Sequence, residues 1–179
     1  RHLQAAAIDR GLIVGSIVYA DVIFVSLDTP TNKNGRRNLK PILALIKRAK
    51  RYRKPIVLTS QVPPGFTRSL GIVDIWHQAE TLRMKDADAR ALHPEYIAVG
   101  GPYPLPSAYR EYLVAFHCPV PRMTWEEAEM TKIAVNMMLA AQVDFANVMS
   151  KACKKVGADW KKVAFTMMHD TRIGPRAYL

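Results

Sequence analysis

Lys132 and Asn136 stand four residues apart at the start of a largely apolar stretch whose apolar members run from Ile133 to Phe145. In a helix that spacing puts both side chains on one face. Burying an ammonium among apolar neighbours is costly unless something pairs with it. Two readings follow. Lys132 snorkels to solvent or pairs with Glu129 one turn back. Alternatively, amine and carboxamide open together into a polar pocket, as donors for a developing oxyanion. Glu80 is a further candidate, either a general acid/base or an ordinary surface carboxylate. The five histidines never approach metal-ligand spacing. Cys118 and Cys153 give neither a disulfide framework nor a metal motif. No G-x-G-x-x-G run, Walker loop or nucleophile elbow is present.

The element carrying the Lys–Asn pair is predicted as one long helix over 124–156. Thr124 with Glu127 three residues on forms a capping box. Glu126, Glu127 and Glu129 suit the amino end of the helix dipole, and Lys151, Lys154 and Lys155 the carboxyl end. Gly157 supplies the left-handed stop. About thirty residues span about 45 Å, more than one small core needs. The middle is apolar on nearly every side, which predicts a helix buried all round, between domains or subunits.

Upstream, Val22–Leu27 and Ile56–Ser60 are apolar, β-branched runs expected of strands buried on both faces of a parallel sheet. Between them, Asn38 is expected to cap a helix running to about Arg53, with Pro41 in its first turn. Strand–helix–strand in this order predicts an α/β doubly wound layer. The loops after the two strands, holding Thr29-Pro30 and Ser60, form two walls of one crevice at the strands' carboxyl ends, where ligands of open α/β sheets bind. Further strands are predicted near 72–78 and 96–100, a helix over 107–116, and a last helix capped by Asp159. A helical piece is expected near Leu3–Ile8.

The chain has 179 residues, 49% of them hydrophobic, enough for a core and one or two domains. Net charge is +11, which makes a polyanionic ligand plausible. The basic run from Lys47 to Lys54 holds one aromatic and no groove-reading motif, so it reads as a solvated helix end rather than a nucleic-acid patch. No apolar run reaches the length that crosses a bilayer without charges. With two cysteines and no secretory signal, the expected compartment is the cytoplasm.

Taken in order, several segments resemble the UDP-glucose/GDP-mannose dehydrogenase family. They are ADVIFVSLDTPTN at Ala20–Asn32, IVLTSQVPPGFTR at Ile56–Arg68, AEMTKIAVNMMLA at Ala128–Ala140, FANVMSKACKKVGADW at Phe145–Trp160 and DTRIG at Asp170–Gly174. The resemblance implies a Rossmann-like parallel sheet, incomplete here, followed by the long central helix and a short one. It implies an NAD-binding portion over 1–120, and a dimerisation helix with its following helix over 121–179. The implied activity is NAD-dependent oxidation of a nucleotide sugar's primary alcohol to the uronic acid.

By residue, the resemblance makes Glu80 the acid/base and Lys132 with Asn136 the oxyanion donors. Leu82 and Arg172 become substrate-binding, Arg172 from the neighbouring subunit, and Thr29, Pro30 and Ser60 touch the dinucleotide. It implies a homodimer through the 124–156 helix, a nucleotide-sugar substrate, and neither membrane nor nucleic-acid partners. Departures from the family pattern fall at Thr59, Gln61, Met84 and Lys85. The family's glycine-rich phosphate loop is expected before this chain and its nucleophilic cysteine after Leu179. The rival reading is a catalytically inactive relative or fragment that binds a nucleotide or assembles. A basic nucleic-acid module draws on net charge alone.

Overall fold

A computed structural model describes residues 5–9, 12–14, 19–80 and 86–179. Its centre is a seven-stranded mixed sheet in the order β2-β1-β3-β4-β5-β6-β7. The strands are β1 (Ala5–Asp9), β2 (Leu12–Val14), β3 (Val22–Val25), β4 (Ile56–Leu58), β5 (Ile75–Ala79), β6 (Ala98–Gly100) and β7 (Arg122–Met123). Helices α1 (Lys40–Lys50), α2 (Phe66–Ser69), α3 (Ala87–Leu92) and α4 (Ser107–Val114) connect them, and α5 (Trp125–Lys155) and α6 (Trp160–Met167) follow.

Strands β1, β3, β4 and β5 run parallel, as the sequence predicts for β3 and β4. Two departures make the sheet mixed. Strand β2 folds back antiparallel on β1, and β6 runs antiparallel to β5. Among the described residues, the connection from β5 to β6 holds the short α3, and β6 returns as an antiparallel neighbour. The helical piece expected near Leu3–Ile8 is instead strand β1, paired from Ala5↔Val22 to Ile8↔Val25. Alanine favours helices when nothing else decides, and pairing with a central strand overrides that preference.

Side chains alternate between two cores, as burial on both faces of a sheet requires. Ile23, Val25, Ile56, Leu58 and Ile75 meet Ile42, Ile46 and Ala49 of α1 on one face. Val22, Val57, Trp76 and Val99 meet Tyr109 and Leu113 of α4 on the other. The N-cap of α1 is Leu39 rather than the expected Asn38, whose Oδ1 still accepts from the Lys40 amide at 3.3 Å, and the helix ends at Lys50 rather than near Arg53.

The chain forms two compact units, Arg1–Lys132 and Ile133–Leu179, and the division falls within α5. The expected capping box starts this helix. The Thr124 amide donates to Glu127 Oε2 at 2.6 Å, and the Glu127 amide to Thr124 Oγ1 at 3.3 Å. At the far end Gly157 has φ +72°, and the amides of Ala158 and Gly157 return to the carbonyls of Cys153 and Lys154, a Schellman ending. Asp159 Oδ1 accepts from the Lys161 amide and caps α6, as predicted. In the second unit Phe145 meets Trp160 edge to face. The expectation that α5 is buried all round is not met within this chain. Met137 is 67% exposed, and Met138, Val143 and Val148 are exposed too. One 18-residue window of α5 reaches a mean hydropathy of 1.2, so by length and composition the helix could cross a bilayer. A helix of a soluble interface has the same composition.

Candidate functional site

The carboxyl ends of β3 and β4 are adjacent because the strands pair in parallel, Val25 opposite Leu58. The loops leaving them are tied together by side chains. The Leu27 amide donates to Ser60 Oγ at 2.7 Å, and Thr29 Oγ1 donates to the Gln61 carbonyl at 2.6 Å. Arg37, in the loop before α1, donates to the Thr29 carbonyl at 2.8 Å and to its Oγ1 at 3.2 Å. Thr29 and Ser60 are buried and Pro30 is exposed. Thr29 spends its hydroxyl hydrogen on Gln61, so its contribution to a ligand is the shape of the loop. Ser60 accepts from Leu27 and keeps a hydrogen to donate.

Glu80 follows β5 directly at the same edge and is exposed. It borders a cavity of about 110 Å³ that also touches Gln78, Arg90, Tyr96 and Tyr112. Burial raises the Tyr112 hydroxyl above its ordinary value, a hydrogen bond with Gln78 opposes the shift, and the charge of Glu80 adds to it. Leu82 lies outside the described residues.

The first turns of α5 meet the sheet and the loop after β4. Trp125 Nε1 donates to the carbonyl of Ile75, the first residue of β5, at 2.9 Å. One turn later Glu129 meets the loop beyond β4. Its Oε2 accepts from the Gly65 amide at 2.5 Å and its Oε1 from the Thr67 amide at 2.8 Å. Glu129 is 1% exposed and is the one buried carboxylate among the described residues. Lys132 follows Glu129 by about 4.5 Å of helix rise.

These bonds correct one sequence expectation. Lys132 does not pair with Glu129, because the two backbone amides occupy that carboxylate. Lys132 is half-buried as a residue, and its ammonium has no hydrogen-bond or ion-pair partner among the described residues. Glu126 pairs instead with Arg68, whose Nη2 lies 2.9 Å from Oε2. The pairing raises the Arg68 guanidinium above its ordinary value and lowers the Glu126 carboxyl.

The remaining candidates lie in the second unit. Asn136 is exposed, four residues beyond Lys132 on the continuous helix. The Arg172 side chain is 86% exposed and forks onto Asp170, with Nη2 to Oδ2 at 2.6 Å and Nε to Oδ1 at 3.0 Å. That hydrogen bonding holds the Asp170 carboxyl below its ordinary value and raises the guanidinium.

Sequence reasoning missed Arg37 and Glu129. Arg37 carries no motif. Glu129 reads as one more acid favouring the helix's amino end, and its partners lie 64 and 62 residues away. The one local signal was Gly65, a glycine ahead of a short helix with no side chain to cap it.

A family model described as the UDP-glucose/GDP-mannose dehydrogenase family, central domain, matches residues 126–179. The chain is 31% identical over 173 residues to UDP-glucose 6-dehydrogenase YwqF of Bacillus subtilis, covering 88% of this chain and 39% of that protein. It is 31% identical over 177 residues to UDP-glucose 6-dehydrogenase TuaD of the same organism, covering 90% and 38%. Among solved structures it resembles a ternary complex of GDP-mannose dehydrogenase from Pseudomonas aeruginosa, with a TM-score of 0.76 and 25% identity over 86% of this chain and 40% of that one. A UDP-glucose dehydrogenase from Pyrobaculum islandicum gives 0.75 and 25% over 89% and 41%. The chain thus spans about two fifths of the length of these relatives.

Proposed function

Because the chain belongs to the UDP-glucose/GDP-mannose dehydrogenase family, we propose that the protein carrying it oxidises the primary alcohol of a nucleotide sugar, UDP-glucose or a close analogue, to the uronic acid with NAD. The observation that carries this reading is the Lys132 ammonium. It belongs to a half-buried residue, has no hydrogen-bond or ion-pair partner among the described residues, and stands one turn beyond a helix anchor fixed to the β4 loop. A cation with no ion-pair partner among the described residues is available to a developing oxyanion. Asn136, by helical spacing, offers a carboxamide on the same face.

NAD, when bound, supplies the hydride acceptor. The tied loops after β3 and β4 suit a dinucleotide, since they line the carboxyl edge of adjacent parallel strands and Ser60 retains a hydrogen to donate. Thr29 and Pro30 shape the wall beside it. Glu80, at the end of β5, takes up the proton from the sugar hydroxyl. Leu82 contacts the sugar nucleotide, and Arg172 reaches it from a second copy of the chain. The exposed apolar residues of α5, Met137, Met138 and Val148 among them, support self-association through that helix. The cytoplasm, where NAD and nucleotide sugars meet, is the compartment of this reaction.

The test is steady-state turnover of NAD with UDP-glucose by the full-length protein. Lys132→Ala is expected to lower kcat by about a hundredfold to a thousandfold, the loss seen when one oxyanion donor is removed. Wild-type turnover in the folded variant overturns the reading. NAD binding with no turnover in the unaltered protein favours the inactive relative instead.

A further inference from the structure

We propose that Glu129 is a positioning residue for Lys132 and holds the ammonium at a fixed depth beside the loop that follows β4. The inference rests on the dehydrogenase reading above. A buried carboxylate requires compensation, and here two backbone amides provide it, from Gly65 and Thr67. Gly65 has φ +85° and no side chain of its own to cap the turn. Glu129 therefore takes the place of a local cap, from an element more than sixty residues away.

The loop it grips is stiff. Pro63 and Pro64 precede Gly65, and the Phe66 amide returns to the Pro63 carbonyl at 3.1 Å. Two residues before Pro63, the Gln61 carbonyl accepts the Thr29 hydroxyl, and Arg37 holds Thr29. An unbroken path thus joins the wall beside Thr29 and Ser60 to Glu129, and Lys132 stands three residues on, on the same helix face. Nothing else among the described residues fixes the ammonium. Its position is set by where the helix backbone is pinned, and of the pins at Trp125, Glu126 and Glu129 the last stands nearest to Lys132 in the helix.

The charge alone does not account for the arrangement. A carboxylate offers two acceptor oxygens and uses both here, while glutamine offers one oxygen and turns an NH₂ towards a second donor. Glu129→Gln thus keeps the shape and breaks the grip.

The experiment measures kcat and KM for NAD and UDP-glucose in the full-length protein. The variants are Glu129→Gln, Glu129→Asp, Lys132→Ala and each Glu129 variant combined with Lys132→Ala. Glu129→Gln is expected to lower kcat about tenfold to a hundredfold, the cost of a misplacement near 1 Å, with both KM values within about threefold. On the Lys132→Ala background the same change is expected to lower kcat by less than about twofold, since the group it positions is gone. Losses that multiply overturn the proposal, as does a folded Glu129→Gln protein with wild-type kcat. Should Glu129→Gln fail to fold, Glu129→Asp and its combination with Lys132→Ala decide by the same two criteria. A Lys132→Ala protein with wild-type turnover overturns the functional reading itself. Multiplying losses beside an impaired Lys132→Ala protein overturn the positioning role alone.

Discussion

His77 makes the stability of this fold depend on pH in one direction. It lies in the middle of β5, is 2% exposed, and its Nδ1 has no hydrogen-bond partner. Burial lowers its pKa from 6.5 to about 4. The unfolded chain protonates this imidazole as pH falls through about 6.5, while the folded chain resists until about 4. Protons therefore favour the unfolded state across that window, and stability falls as pH drops. Taking one unit as about 1.4 kcal/mol, the group costs about 2 kcal/mol at pH 5 and about 3 kcal/mol at pH 4 relative to neutral pH. Urea denaturation of the wild type and of His77→Leu, measured across that range, isolates the effect. Carboxylates such as Glu126 and Asp170 also lose stabilisation at low pH, and they cancel in the difference because both proteins carry them. The wild type is expected to lose ground to His77→Leu by those amounts. A difference that stays flat within about 0.5 kcal/mol, or grows with rising pH, refutes the account.

Two further predictions concern the start of α5. A Cβ at Gly100 would stand 2.8 Å from Ala128 Cβ and well inside contact distance of the Thr124 carbonyl oxygen. Gly100→Ala is therefore expected to destabilise by about 1–3 kcal/mol, read as a lower urea midpoint at unchanged m-value. Thr124→Ala removes one arm of the capping box and is expected to cost about 1 kcal/mol, with Glu127→Gln costing less on its own. Thermal denaturation of the three variants ranks them.

The candidate site was legible wherever its signal was local. The capping box, the glycine stop of α5 and the Asp159 cap each join residues fewer than six apart, and each formed as read. The strands β3 and β4 announced themselves through apolar β-branched runs, and the loops after them through their place at the strands' ends. Lys132 drew notice as a charge in an apolar run. Its relation to Glu129 was open, because helix spacing permits an i,i+3 ion pair but cannot say what else competes for the carboxylate. Two amides from the β4 loop do, and their geometry is better than a flexible lysine offers. The hydroxyls of Thr29 and Ser60 read as ligand contacts and turn out to be fastened within the protein as well.

By itself, then, the order of residues determined β3 to β6, the helices α1, α4, α5 and α6, the caps of α5 and α6 and which side chains share a helix face, because those follow from backbone periodicity over a few residues. Tertiary structure alone decided that β1 is a strand, that β6 runs against β5, that α5 passes over Gly100, and that Glu129 grips Gly65 and Thr67. Each of these joins backbone groups far apart in sequence, and an amide's choice of partner leaves no mark on the side chains that periodicity can read.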